Sequence, residues 1–214
     1  MFSPDGSRIY YRREGGVTTP GGICELPANG TGTPKLVWSG SSHHMDISPD
    51  DKRIVAGRGT SGGGGLIEIP LEGERKDRQF TGAPFFEDHP QFSPDGKWVA
   101  YDSAETGSTQ VYIQSYPPGA GKWQVSRDGG DQPFWRGDGK ELYFASQGRE
   151  VVACEIRPKG TGLEVGAAKV LFDLERPRDF MAVLEADSYN VQADRAFIGR
   201  VEELCGRGSV RVID

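Results

Sequence analysis

Short runs of β-prone residues alternate along this chain with turns rich in Gly, Pro and Asp. In "HPQFSPDGKWVAYDS", Phe92 closes one apolar run, and Trp98 opens a second in which every second side chain shares a face. Between them, Pro94 fixes φ, Asp95 can accept hydrogen bonds from the local backbone, and Gly96 accepts a left-handed conformation. The pattern predicts a strand, a tight turn and a second strand.

The same turn recurs at a nearly fixed period. Related segments start at Phe2, Ile47, Phe92, Trp135 and Val191, which gives spacings of 45, 45, 43 and 56 residues. Four-stranded propeller blades repeat every 40 to 45 residues or so, and the chain shows no long stretch with helical periodicity. The sequence therefore predicts an all-β fold, a β-propeller of four-stranded antiparallel blades with about five repeats. The predicted turn residues are Pro4, Asp5, Gly6, Pro49, Asp50, Pro94, Asp95, Gly96, Asp138 and Gly139.

We interpret the whole chain as a single propeller domain. The repeats span approximately residues 1–44, 45–89, 90–132, 133–187 and 188–214. The last spacing implies an insertion within 160–187, where "ERPRDFMAVLEAD" is expected to form a loop or one helical turn. About four and a half blades are present, so either five units close as a compact ring or the chain is the C-terminal part of a larger propeller, and we favour the second. An unpaired blade edge would allow dimerisation.

Composition narrows the class of partner. Gly and Pro number 31 and 14 of the 214 residues, which fits many short strands joined by turns. The net charge is −6 and no basic stripe stands out, so nucleic acid is not an expected partner. No apolar segment approaches the length of a membrane span, and the first residues do not form an export signal. Cys24, Cys154 and Cys205 form no CxxC pair and are predicted to be buried or inert thiols.

The repeats resemble a known group of propellers. "DHPQFSPDGKWVAYDS" followed by "VYIQSY" is similar to the TolB-like, WD-type repeat, whereas "VQADR" in the fifth repeat has lost its Pro and Gly. The stretch Pro84–Ser146 further resembles the propeller at the C-terminus of some bacterial serine/threonine protein kinases. The resemblance implies either the sensory or interaction part of such a kinase or a TolB-like periplasmic scaffold. A periplasmic or extracytoplasmic location would follow only for a longer protein of either kind, so the sequence leaves the compartment unknown.

Motifs for catalysis are weak. "GTSGG", Gly59–Gly63, fits the G-x-S-x-G pattern, but Ser61 lies in a Gly-rich segment between two predicted strands and not between a strand and a helix. The chain contains neither an HRD-type catalytic loop nor a DFG motif, and "GAGKW" lacks the upstream Gly and the following Ser or Thr of a phosphate-binding loop. We therefore predict a non-catalytic binding or scaffold module that needs no cofactor.

Stacking the repeats on their turns gives the best candidate site. Polar residues recur at two neighbouring positions before each turn. The position six residues before the turn proline, or its equivalent, is occupied by His43, Asp88, Asp131 and Asp187, and the next position by His44, His89 and Gln132. These positions begin the innermost strands, which line the channel of a propeller, so we predict a ring of side chains at one channel mouth. Such a ring could bind a protein, peptide or small ligand, or a Ca²⁺ or Mg²⁺ ion.

Two readings of this ring compete with ligand binding. In the first, each Asp or His ties its own blade to the next by hydrogen bonds to the backbone. In the second, two channel carboxylates act as the acid and base of a glycosidase-like hydrolase, which requires a defined carboxyl separation. A further alternative is the propeller part of a prolyl-oligopeptidase-type peptidase.

Overall fold

The computed structural model describes residues 1–173 except for 17, 59–63, 83, 120 and 148–149. Within these ranges the chain forms fifteen β-strands and no helix. All of the sheets are antiparallel, and together they make four consecutive blades. The predicted all-β fold is confirmed. Repeat five, Asp187, Cys205 and "ERPRDFMAVLEAD" lie outside the described residues.

The first blade has three strands, β1 (Arg8–Arg13), β2 (Gly22–Pro27) and β3 (Lys35–Ser39), in that order. An isolated bridge joins Phe2 to Ile9 on the free side of β1. The innermost position of this blade is therefore held by the residues that precede the first turn.

The second and third blades each have four strands in a meander. The second contains β4 (Ser42–Ile47), β5 (Arg53–Arg58), β6 (Leu66–Pro70) and β7 (Arg78–Gln79). The third contains β8 (Glu87–Phe92), β9 (Trp98–Ser103), β10 (Gln110–Ser115) and β11 (Lys122–Gln124). In both blades the first strand forms one edge of the sheet and pairs with the strand that follows the repeated turn.

The fourth blade departs from the others in its outer strands. Its strands are β12 (Asp131–Trp135), β13 (Glu141–Ala145), β14 (Glu150–Lys159) and β15 (Gly162–Asp173). The sequence placed an insertion within 160–187 and predicted two outer strands, "EVVACEI" and "KVLFDL". In the structure these strands are longer than predicted: β14 and β15 form a hairpin that turns at Gly160 and Thr161 and pairs from Glu150 with Asp173 to Lys159 with Gly162, with two register shifts. Part of the extra length therefore extends the blade.

The repeated turn has the chemistry predicted for it. Gly96 adopts a φ of 69°, and the Asp95 carboxylate accepts hydrogen bonds from the Lys97 amide (3.1 Å) and the Ser93 hydroxyl (2.7 Å). The Ser93 hydroxyl in turn accepts the Trp98 amide at 3.0 Å. Equivalent bonds from an amide to the turn aspartate hold Asp5, Asp50 and Asp138. In the second repeat Asp51 replaces the glycine and still adopts a φ of 59°.

The core lies between the blades. Ile54 and Val55 are neighbours on β5 and both have no exposed surface, but Ile54 packs with the first blade and Val55 with the third. Because successive side chains on a strand point to opposite faces, a strand covered on both faces has an unbroken apolar run. A third cluster joins blades three and four through residues such as Leu142.

Cys24 and Cys154 are both buried as predicted, Cys154 in the cluster between blades three and four, and burial raises the pKa of the Cys154 thiol. Polar side chains also bridge the blades. The Trp135 indole N–H, for example, donates to the Gln91 carbonyl at 3.2 Å. Over the described ranges, no helix is long and apolar enough to cross a membrane.

Candidate functional site

The candidate residues lie on the innermost strands β4, β8 and β12, and neighbouring strands of this set contact each other. Near the start of each of these strands, the register of its pairing with the following strand shifts. In β4, for instance, the shift lies between Ser42 and Met45. At these shifts His89 and Gln132 have left-handed backbones, with φ of 49° and 52°. Because a bulge adds a residue without a partner, it can re-aim a side chain that would otherwise alternate across the sheet.

Asp88 joins the second blade to the third. Only 2% of its surface is exposed, and its Oδ1 accepts the His44 amide at 3.1 Å. Its Oδ2 lies 2.9 Å from His44 Nδ1. The Asp88 carboxylate packs on Gly57 of β5, where a Cβ atom would lie 2.4 Å from Oδ1. Asp88 therefore makes the hydrogen bond to the backbone of the adjacent blade that one reading of the repeat predicts.

His89 is held from two sides. Its Nδ1 lies 2.6 Å from Oδ2 of Asp102, and its ring stacks on that of His44 with centroids 3.9 Å apart and planes 25° apart. The hydrogen bond with Asp102 raises the pKa of His89 against the opposing effect of burial, and the negative charges of Asp102, Asp88 and Asp131 add to the increase. The imidazole is thus fixed in place beside three carboxylates.

Asp102 is a residue that the repeat comparison missed. It lies near the end of β9, opposite Asp88 in the sheet, with 2% of its surface exposed. Besides contacting His89, its Oδ2 accepts the Gln132 amide of the fourth blade at 3.1 Å. Only the inner strands were compared, so a carboxylate on the second strand escaped notice. The "YDS" segment, a charged residue inside an apolar strand, was the available signal.

Asp131 and His43 do not belong to the group of ligand atoms formed by His44, Asp88 and His89. Asp131 is partly buried, and its pKa is raised by burial and by the nearby charge of Asp102. His43 is adjacent to His44 in sequence, but its ring contacts Phe86 edge-on at 5.7 Å. The structure therefore brings together His44, Asp88 and His89, which offer ligand atoms that all lie within 4.8 Å of one another.

Glu87 adds a second buried carboxylate at the start of β8. It has 2% exposed surface, and the Thr81 hydroxyl donates a short hydrogen bond to its Oε2. Burial raises the pKa of Glu87. Sequence comparison did not single it out, although its acidic neighbour Asp88 was selected.

Comparison with known proteins supports the fold. No protein-family model and no curated protein sequence matches this chain. Among solved structures, the chain is similar to a protein described as TolB from Agrobacterium tumefaciens, with 22% identity, a TM-score of 0.66, and coverage of 81% of this chain and 64% of that one. TolB from Acinetobacter baumannii gives 19% identity and a TM-score of 0.60, over 82% of this chain and 43% of the other.

A prolyl endopeptidase structure is also similar. That match has 14% identity and a TM-score of 0.54, and it covers 82% of this chain but 31% of the peptidase chain. The chain thus spans less than two thirds of each of these three proteins. At these identities the likeness shows a TolB-like β-propeller fold.

Proposed function

We propose that this propeller is a non-catalytic binding module for a protein or peptide. The proposed contact region is the imidazole–aromatic surface, which consists of His43, His44, Phe85, Phe86 and His89. The observation that carries the proposal is the exposure of these rings on a rigid frame. Phe85 and Phe86 are 41% and 43% exposed, and the His44 side chain is 62% exposed.

The physical argument rests on aromatic exposure and on rigidity. Protein interfaces are enriched in aromatic residues, and large apolar side chains grouped on a surface favour burial against a partner. The rings of His43 and Phe86 contact each other, and those of His44 and His89 are stacked. The His44 amide donates to Asp88 of the next blade, and the Phe86 carbonyl accepts the Ala104 amide. Asp102 holds the His89 ring, so little conformational entropy would be lost on binding.

Charge suggests the chemistry of the partner. Asp88 and Asp102 are buried behind the two stacked imidazoles, and Asp131 is partly buried next to them. A partner segment that combines apolar side chains with Lys or Arg would complement this surface. We therefore favour a basic, apolar-containing peptide segment as the ligand.

We also propose that the buried carboxylates of this region have no catalytic role. Asp88 and Asp102 both accept backbone amides from adjacent blades, which supports a structural use of these carboxylates. A hydrolase that uses channel carboxylates is the alternative, and it predicts that Asp88→Asn would abolish an activity that His43→Ala would leave intact. The "GTSGG" segment lies outside the described residues. The proposed context, part of a bacterial serine/threonine kinase or of a TolB-like periplasmic protein, rests on the sequence resemblance alone.

Site-specific cross-linking tests the proposal. A photoreactive phenylalanine analogue replaces Phe86 in one variant and Lys97, an exposed residue in the turn at the opposite end of the β8–β9 hairpin, in a matched control. We expect cross-linked partner proteins at position 86 that are absent at position 97. Binding of the identified partner should then weaken in a Phe85→Ser, Phe86→Ser double variant. Identical cross-linking profiles at positions 86 and 97 would contradict the proposal.

A further inference from the structure

Three side chains from two blades meet in an arrangement suited to a metal ion. His44 comes from β4, whereas Asp88 and His89 come from β8, and one ligand atom from each lies within 4.8 Å of the others. We propose that these residues form a site between the second and third blades for a divalent transition metal of the zinc class. This inference does not depend on the partner proposed above.

The ligand set selects the class of metal. Two imidazole nitrogens and one carboxylate oxygen suit Zn²⁺, Cu²⁺ or Ni²⁺, whereas Ca²⁺ and Mg²⁺ prefer sites made of oxygen. The sequence suggested Ca²⁺ or Mg²⁺ because the repeat offset selected Asp88, Asp131 and Asp187. The tertiary structure pairs Asp88 with imidazoles instead, which changes the expected ion.

The contact between His44 and Asp88 is already as short as in a bound site, and the ligand atom of His89 lies within 4.8 Å of theirs. Bonds of about 2.0 to 2.1 Å to tetrahedral Zn²⁺ place neighbouring ligand atoms about 3.3 Å apart. His44 Nδ1 and Asp88 Oδ2 are already 2.9 Å apart, so they need to separate only slightly. The His44 side chain is 62% exposed and can adjust its rotamer without disturbing the core.

The surroundings orient two of the ligands in advance. Asp102 lies 2.6 Å from His89 Nδ1, which leaves Nε2 of that ring for a metal. A carboxylate that binds the second nitrogen of a metal-bound histidine is a recurrent feature of zinc sites, because it fixes the tautomer and increases the basicity of the ligand. Asp88 is also held in place, because its Oδ1 accepts the His44 amide and its carboxylate packs closely on Gly57. Three protein ligands leave a fourth tetrahedral position for water or for a group from another molecule.

The test is metal binding by the full chain without an affinity tag. A Cys205→Ser background removes the one cysteine outside the described residues, and Cys24 and Cys154 are buried. After treatment with a chelator, isothermal titration with ZnCl₂ should show about one bound equivalent, and CaCl₂ and MgCl₂ should bind much more weakly. Substituting Co²⁺ should give the visible absorption of a tetrahedral complex.

Matched variants separate this site from incidental binding. His44→Ala and His89→Ala should each weaken Zn²⁺ binding at least tenfold, and Asp102→Asn should weaken it about 10- to 100-fold. His43→Ala is the control, since His43 is adjacent in sequence but contacts Phe86, and it should leave the affinity unchanged. His44 is exposed, so its variant is expected to fold, and thermal unfolding verifies this. Absence of a bound equivalent, equal loss in His43→Ala, or unchanged affinity in His44→Ala would each overturn the proposal.

Discussion

Gly57 provides a direct test of the contact between the second and third blades. A Cβ atom at this position would lie 2.4 Å from Asp88 Oδ1 and 3.2 Å from the Glu87 carbonyl oxygen. Such atoms are essentially never closer than 3.0 Å, so in Gly57→Ala the Asp88 oxygen must retreat by at least 0.6 Å. The substitution therefore forces either the two strands apart or the carboxylate away from the His44 amide.

The free-energy cost of each response can be estimated. Overpacking a tight contact costs about 1 to 3 kcal/mol, and losing a hydrogen bond to a charged group costs about 1.5 to 3 kcal/mol. We expect Gly57→Ala to lower the free energy of unfolding by about 2 to 3 kcal/mol, which corresponds to a fall in Tm of about 4 to 12 °C for a chain of this size.

Urea unfolding measures this change, and Gly137→Ala is the matched control because a Cβ there meets no atom within 4 Å. A double-mutant cycle identifies the cause, since Gly57→Ala should cost less when Asp88 is already alanine. The reasoning is refuted if Gly57→Ala unfolds within about 0.5 kcal/mol of the unsubstituted protein, or if the cost is the same in both backgrounds.

Three further predictions concern the turns and the core. In denaturant unfolding, Gly137→Pro should stabilise the protein by about 0.4 to 1 kcal/mol, because the other described repeats carry proline at this turn position. A loss of stability in this variant would contradict the prediction. NMR titration should give Asp5 a pKa of about 2, since the Ser3 hydroxyl and the amide and hydroxyl of Ser7 donate to its carboxylate, and Ser3→Ala should raise that pKa. Because the folded pKa lies below the usual 3.8, this carboxylate stabilises the fold above pH 3.8, and the contribution is lost as the pH falls towards 2. Leu142→Ala, at a fully buried position, should cost about 2 to 5 kcal/mol in urea unfolding, and a cost near zero would contradict its place in the core.

Local chemistry made much of the fold predictable. Ser93, Pro94, Asp95 and Gly96 form their turn through contacts within six residues, so the sequence alone determines it. The spacing of such turns then indicates the number of strands in each repeat and hence the blade. The outer hairpin of the fourth blade is longer than the repeat pattern predicts, because β15 begins within the segment interpreted as an insertion.

The candidate site was only half predictable, for a physical reason. Repeat alignment makes Asp88 equivalent to His43. In the structure, however, the residue that lies beside Asp88 and His89 is His44. Successive side chains on a regular strand point to opposite faces, and the bulge in each inner strand breaks that alternation. Asp102 comes from the second strand of its blade, so a comparison limited to the inner strands could not include it.

The sequence by itself thus determined the turns, the repeat period and the strands buried on both faces, since each depends on residues close together in the chain. Only the tertiary structure decided which side chains meet. His44 and Asp88 are 44 residues apart, and contact between them requires two blades to pack with their inner strands side by side. The packing of these blades and the register shifts in their inner strands then determine which side chains come together, and neither can be predicted from a short segment of sequence.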